Sequence, residues 1–229
     1  MNITYSKLTR AAGLSAVLSG LLFILIQPIH PLEDAATVTS PAWAIVAYMT
    51  MAMSILGLVG LSGIYLRQVK ETGLVGLIGY LMFAFEYVLV AAWTFAEALI
   101  LPPLAAEAPQ FVDSFLSIFN GSGAGISLGT LGAMGLVSFV FYLGGGVLSG
   151  IAIFRAGVLS RRGALLLALG AGATPLVALL PHALGRYAAV PVGLALIWLG
   201  YSLWSEQRKS SREPTTAVQN THLNRTPVV

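Results

Sequence analysis

Six apolar stretches, at about 8–29, 42–66, 73–101, 127–154, 163–181 and 187–204, occupy most of this 229-residue chain. Each is long enough, or nearly so, to cross a hydrocarbon core that needs about 20 helical residues. Backbone groups facing lipid have no water to pair with, so every stretch is expected to be a helix. The expected fold class is therefore all-α, a polytopic membrane bundle of six transmembrane helices. Composition points the same way. Hydrophobic residues make up 57% and charged residues 9% of the chain, against roughly 45–50% and 25% in soluble domains. An excess of that size needs lipid to cover it.

The first stretch also has the outline of a signal peptide, because Lys7 and Arg10 precede an apolar run. It is long, however, and ends in Gln27-Pro28-Ile29-His30-Pro31 rather than at a small-residue cleavage site. The expectation is an uncleaved first span.

Cations set the orientation. If six spans alternate, Lys7, Arg10, Arg67, Lys70, Arg155, Arg161, Arg162, Arg208, Lys209, Arg212 and Arg225 fall on one side and only Arg186 on the other. Five or seven spans would scatter them. The positive-inside rule then places both termini in the cytoplasm and the protein in the cell (plasma) membrane. These cations are few and sit at the ends of apolar runs, so the net charge of +3 does not form a nucleic-acid patch. With no cysteine in the chain, disulfides, thiolate metal sites and cysteine nucleophiles are excluded.

The domain division expected is a six-span unit over 1–204, with an outer loop at 102–126, followed by a polar tail at 205–229. That tail has too little apolar surface to fold, so it is expected to be disordered in the cytoplasm. Its cluster Arg208-Lys209 with Arg212 suits anionic headgroups. In the outer loop, Phe111, Val112, Phe115, Leu116, Ile118 and Phe119 share one broad helical face opposite Asp113, Ser114 and Ser117. This reads as an amphipathic helix at the outer interface, in contact with lipid, with a lid over a cavity as the alternative.

Glycines mark close helix packing. Gly57, Gly60 and Gly63 in the second run are expected to face Gly73, Gly76 and Gly79 in the third, and the fourth carries Gly144-Gly145-Gly146. Packing is the expected role of the triple glycine, a hinge in a broken helix the rival. A weak echo, Leu61-Ser62-Gly63-Ile64 before Arg67 and Leu148-Ser149-Gly150-Ile151 before Arg155, leaves duplication of a hairpin open.

One residue breaks the apolar pattern at depth. Glu86 lies near the middle of the run Gly73 to Leu101. A carboxylate there is expensive, faces the bundle interior, and marks a functional candidate. Low dielectric disfavours its charged form, so a protonated acid is expected. Residues 79, 83, 86, 90, 93 and 97 align on one face, so Glu86, Trp93 and Glu97 look in one direction, the carboxylates about 16 Å apart along the axis. They are the candidate ligand- or proton-binding residues. Candidate partners for Glu86 are Ser15, Ser19, Ser54, Ser138 and Tyr142. The plain reading is a carboxylic acid that holds helices together. The functional reading is a proton carrier or the counter-charge for a cationic substrate.

His30 and His182 fall at outer helix ends beside prolines, and are outer-rim candidates. With Glu33, Asp34 or Glu97 they have the donor chemistry for a metal such as zinc, but their spacing carries no metal signature, so no metal and no cofactor is expected. A haem between the two histidines is weaker still, since both lie at one rim.

Arg10-Ala11-Ala12-Gly13, the stretch from Gly63 through Gly76-Leu77-Ile78-Gly79-Tyr80 to Glu86, and Leu143 through Gly163 resemble an uncharacterised family of bacterial six-helix integral membrane proteins, a domain of unknown function. The resemblance covers about half the chain and implies a six-helix bundle in a bacterial inner membrane, with no activity attached.

Three functions stay open. The first is a proton-linked small-solute carrier, or a ligand-binding membrane sensor, centred on Glu86. The second is a non-catalytic membrane subunit or scaffold. The third is a metal-dependent membrane hydrolase using His30 and His182. The partners expected are the lipid bilayer and a small-molecule ligand, with no nucleic acid; an oligomer or a partner subunit is left open.

Overall fold

Hydroxyl caps fix where several helices begin. The Thr4 side chain accepts the Lys7 N–H at 3.3 Å, Ser40 accepts that of Trp43 at 3.2 Å, and Ser160 accepts that of Gly163 at 3.4 Å. Each satisfies a donor that the first helical turn leaves without a partner. The computed structural model describes residues 4–120, 125–177 and 185–210. Along them run α1 (Tyr5–Ile29), α2 (Pro41–Arg67), α3 (Val69–Leu99), α4 (Leu101–Leu104), α5 (Pro109–Asn120), α6 (Met134–Ala156), α7 (Arg161–Gly172), α8 (Thr174–Val177) and α9 (Val190–Ser210). No strand occurs among the described residues.

Two glycines take backbone angles that other residues avoid. Gly73 (φ 58°, ψ −156°) breaks α3 after its first turn, so the straight part of that helix starts where the apolar run does. Gly157 (φ 64°) closes α6 in the left-handed conformation, its N–H on the Ile153 carbonyl at 3.1 Å.

Among the described residues five segments are long and apolar enough to cross a membrane: Tyr5–Ile29, Pro41–Arg67, Val69–Leu99, Gly129–Ala156 and Arg186–Glu206. This differs from the six expected. The described part of the run at 163–181 is divided into α7 and then α8, and residues 178–184 lie outside the described part. Pro175 explains the interruption. It has no N–H for the Ala171 carbonyl, and the Thr174 hydroxyl takes that acceptor instead at 2.6 Å. At the other end α9 continues to Ser210, so the first residues assigned to the tail are helical; residues 211–229 lie outside the described part.

The long helices pack in a closed circuit, α1 on α2, α2 on α3, α3 on α6, α6 on α7, α7 on α9, and α9 back on α1. Leu61, Ile64, Phe83, Leu167, Leu196 and Leu199 fill its middle, while leucines such as Leu14, Leu74, Leu136 and Leu169 point outward, half exposed or more. An outer surface that apolar suits a membrane-embedded protein.

Small residues allow the contacts between helices. Gly13 and Gly20 of α1 meet Gly200 and Gly193 of α9, and Gly60 of α2 lies on Ala16 of α1. Gly145 of α6 lies on the Phe83 backbone of α3, and Gly79 of α3 on Leu148 and Ser149 of α6. The expected meeting of the α2 and α3 glycines does not occur. Gly60 and Gly63 are turned to α1, and Gly79 to α6. The triple glycine lies inside an unbroken α6, each residue against a different side chain or helix, which is packing and not a hinge.

Candidate binding cavity

Four outer elements enclose the upper half of the bundle. Trp43, near the start of α2, donates its indole N–H to the Glu97 carbonyl at the end of α3 (2.9 Å). The segment between α1 and α2 is tied to α5, because the Ala35 N–H is donated to the Asp113 carboxylate at 2.7 Å. α5 then lays Val112, Phe115 and Leu116 on Val38, Trp43 and Leu101. The amphipathic helix expected at 109–120 therefore forms, but Val112, Phe115 and Leu116 are buried in protein. Phe119 on the same face is about half exposed, 48%.

Beneath α5 is a cavity of about 480 Å³, lined among others by Glu86, Trp93, Glu97 and His30. A smaller one of about 300 Å³ shares Glu86, His30, Glu33, Thr50 and Val90 with it and extends toward Tyr87, Tyr142 and Arg186. The three α3 residues placed on one face by helical periodicity thus open onto one space, as does His30. Their burial differs: Glu86 is 5% exposed, whereas Trp93 and Glu97 are intermediate. His182 lies outside the described residues.

Of the five partners weighed for Glu86, the fold selects one. The Ser138 hydroxyl of α6 donates to Glu86 Oε1 at 2.6 Å. Ser15, Ser19 and Ser54 donate to backbone carbonyls instead, those of Ala11, Met53 and Met51. Tyr142 packs its ring edge-on against Phe83. The second oxygen, Oε2, is buried and has no hydrogen-bond partner among the described residues. Such an atom is costly unless something in the cavity meets it. Glu86 therefore closes the α3–α6 seam through one oxygen, while the other is buried and unpartnered among the described residues.

The outer rim is built around Arg186, which the sequence marks only as the odd cation. Its guanidinium donates to the carbonyls of His30 and Pro31 (3.1 and 3.4 Å), at the C-terminal end of α1, and to Glu33 Oε1 at 3.2 Å. A cation there complements the partial negative charge of a helix C-terminus. It also engages the carboxylate considered for a metal. Asp34, the other candidate, accepts the Thr37 N–H at 2.8 Å. Among the described residues no group of three His, Asp or Glu is disposed to hold a metal ion.

Aromatic rings form one wall. Trp93 stacks on Phe115 with centroids 3.8 Å apart and planes 16° apart, and Phe119 meets the Trp93 ring edge-on at 4.6 Å. The contribution of Phe115 and Phe119 was hidden in the sequence, because a helical face shows which residues are apolar together and not what they cover. No protein family, curated protein or solved structure matches this chain.

Proposed function

We propose that this protein is a membrane-embedded small-solute binder, a proton-linked carrier or a ligand sensor, with Glu86 at the centre of its site. One observation carries the reading: a buried carboxylate with an unpartnered oxygen lines a cavity of about 480 Å³. Ligand pockets span about 300–1,000 Å³ and combine apolar walls with a few placed polar groups. A carboxylate at membrane depth is also a group suited to exchange a proton for a solute. The titratable and charged neighbours that bear on it are His30, Glu33, Glu97, Tyr87, Tyr142 and Arg186, all of which line one or both cavities.

The test is native mass spectrometry of the full chain released gently from its membrane, wild type beside Glu86→Gln. The reading expects a small molecule bound to wild type and missing from the variant. Lipid alone on both, with the variant equally intact, would favour a non-catalytic membrane subunit, for which the glycine-packed α3–α6 seam already provides the structure.

The proposal extends to topology: six crossings of a bacterial inner membrane with both termini cytoplasmic. Its support is the position of the charges and the course of α7. Gly163 lies beside Leu199 and Gly170 beside Val192, so α7 runs antiparallel to α9 and reaches its first turn. Arg67 and Glu206 pair at one end of the bundle, while Arg186 sits with His30 and Glu33 at the other. Because the chain has no cysteine, single cysteines at Glu33 and Glu206 can be labelled with an impermeant maleimide. Labelling of intact cells at position 33 and not at 206 is expected; the reverse would invert the topology.

A further inference from the structure

We infer that the solute this cavity takes is an organic cation, an ammonium group carried on a compact aromatic or branched apolar body. The inference rests on the proposed solute-binding role and adds the chemistry of the ligand.

Charge sign comes first. The larger cavity is lined by Glu86 and Glu97, by Glu33, whose charge Arg186 already balances, and by His30, with no lysine or arginine in its wall. Arg186 lines only the smaller space, and its guanidinium already spans Glu33 and two carbonyls. An anion entering here would meet like charge or acid groups with little water to screen them. A cation meets the opposite sign in a medium where attraction is stronger than in water.

The carboxylate at the bottom supplies the specific contact. Glu86 lines the cavity. Its Oε1 accepts a hydrogen bond from Ser138, which fixes the side chain. Its Oε2 is buried with no hydrogen-bond partner among the described residues, so a small turn of the carboxylate is needed to present it to a ligand. When the cation arrives, any proton on Glu86 leaves to water, and the ammonium faces the carboxylate. Glu97, about three turns further out along the same helix, gives the cation a second acid group on its way in.

The walls decide the body. Leu89, Val90, Trp93, Phe115, Phe119 and Met134 surround the space. Aromatic faces attract cations, quaternary ammonium above all, and apolar walls favour a hydrocarbon skeleton. A free amino acid would leave its carboxylate without a lysine or arginine partner in the wall of the larger cavity. A benzyl-sized body fits a space of about 480 Å³.

The test uses two probes of equal shape. Benzyltrimethylammonium and neopentylbenzene differ only in a charged nitrogen for a carbon, and the cation carries no titratable proton. Binding to the full chain in lipid nanodiscs is measured by calorimetry, with phenylmethanesulfonate as the anion. The cation is expected to bind about tenfold or more tighter than its neutral isostere, the scale of a desolvated cation–aromatic contact together with attraction to the carboxylate. Glu86→Gln removes that preference, read as the ratio of cation to neutral-probe affinity; Glu86→Asp retains part of it. Equal or tighter binding of neopentylbenzene, or preference for the sulfonate, overturns the cation inference and leaves the solute-binding role standing. The matched pair decides this on wild type alone, so a poorly folding variant does not remove the test. Binding of none of the three overturns the inference as well. If native mass spectra then also show lipid only, the solute-binding role falls with it.

Discussion

Gly145→Ala is the substitution that most directly links helix packing to the site. A methyl group built at this position would lie 2.5 Å from the Phe83 nitrogen and 2.7 Å from its Cα, where ordinary contact begins at 3.4 Å. Both atoms are backbone, so no rotamer change relieves the clash and α3 must withdraw from α6 by about 1 Å. Overpacking of this kind costs about 1–3 kcal/mol. The same displacement would stretch the Ser138–Glu86 bond from 2.6 Å to about 3.6 Å, beyond hydrogen-bonding distance. In wild type that bond is worth about 0.6 kcal/mol, with about 1.7 as the upper end for membrane proteins. Reversible unfolding in mixed micelles of wild type, Gly145→Ala, Ser138→Ala and the double variant gives the coupling. Ser138→Ala is expected to destabilise wild type by about 0.6–1.7 kcal/mol and to add almost nothing to Gly145→Ala. An unchanged Ser138→Ala penalty in both backgrounds would show that the seam does not hold the site together, and the reasoning would fail.

Three further outcomes are expected. Phe115→Ala removes the ring stacked on Trp93, so Trp93 should become more accessible to acrylamide quenching in a variant retaining it as sole tryptophan, with a stability loss of about 3–5 kcal/mol. Arg186→Ala should cost about 1.5–3 kcal/mol in thermal unfolding, and Arg186→Lys should recover only part, because an ammonium cannot bridge Glu33 and the α1 carbonyls as a planar fork does. Gln68→Leu should raise stability by about 1 kcal/mol, since the fully buried Gln68 amide has no hydrogen-bond partner among the described residues, and a lower melting temperature would refute this.

How legible these features were depends on what each one needs. The apolar runs forced helices because lipid leaves backbone groups no alternative, and α1, α2, α3 and α6 lie close to the expected stretches. Glu86 was visible because a carboxylate stands out in an apolar run, and its alignment with Trp93 and Glu97 needed only the helical period. The choice of Ser138 over four other hydroxyls needed the rotation of α6 about its axis. A helix that is apolar all round carries no record of that rotation. Glu33 and Arg186, 153 residues apart, meet only because α9 closes onto α1. Gly60 and Gly63 of α2 were read as facing α3 when they face α1, whereas Gly57 does lie against Tyr87 of α3, because small residues announce a close contact without naming the helix that fills it. The break between α7 and α8 was local in origin, with Pro175 in plain view, but apolar length outweighed it in the reading.

The closure of α1 on α9 has a consequence for biosynthesis. Gly13 and Gly20 lie against Gly200 and Gly193, so α1 waits for α9, made much later, before that face is covered. Until then its small-residue stripe and the carbonyls that Arg186 later caps are open to any neighbouring helix. Assembly of this bundle is therefore a race between release of α9 and capture of α1 by another membrane protein, and slowing translation just before Arg186 should lengthen the interval in which the wrong partner can win.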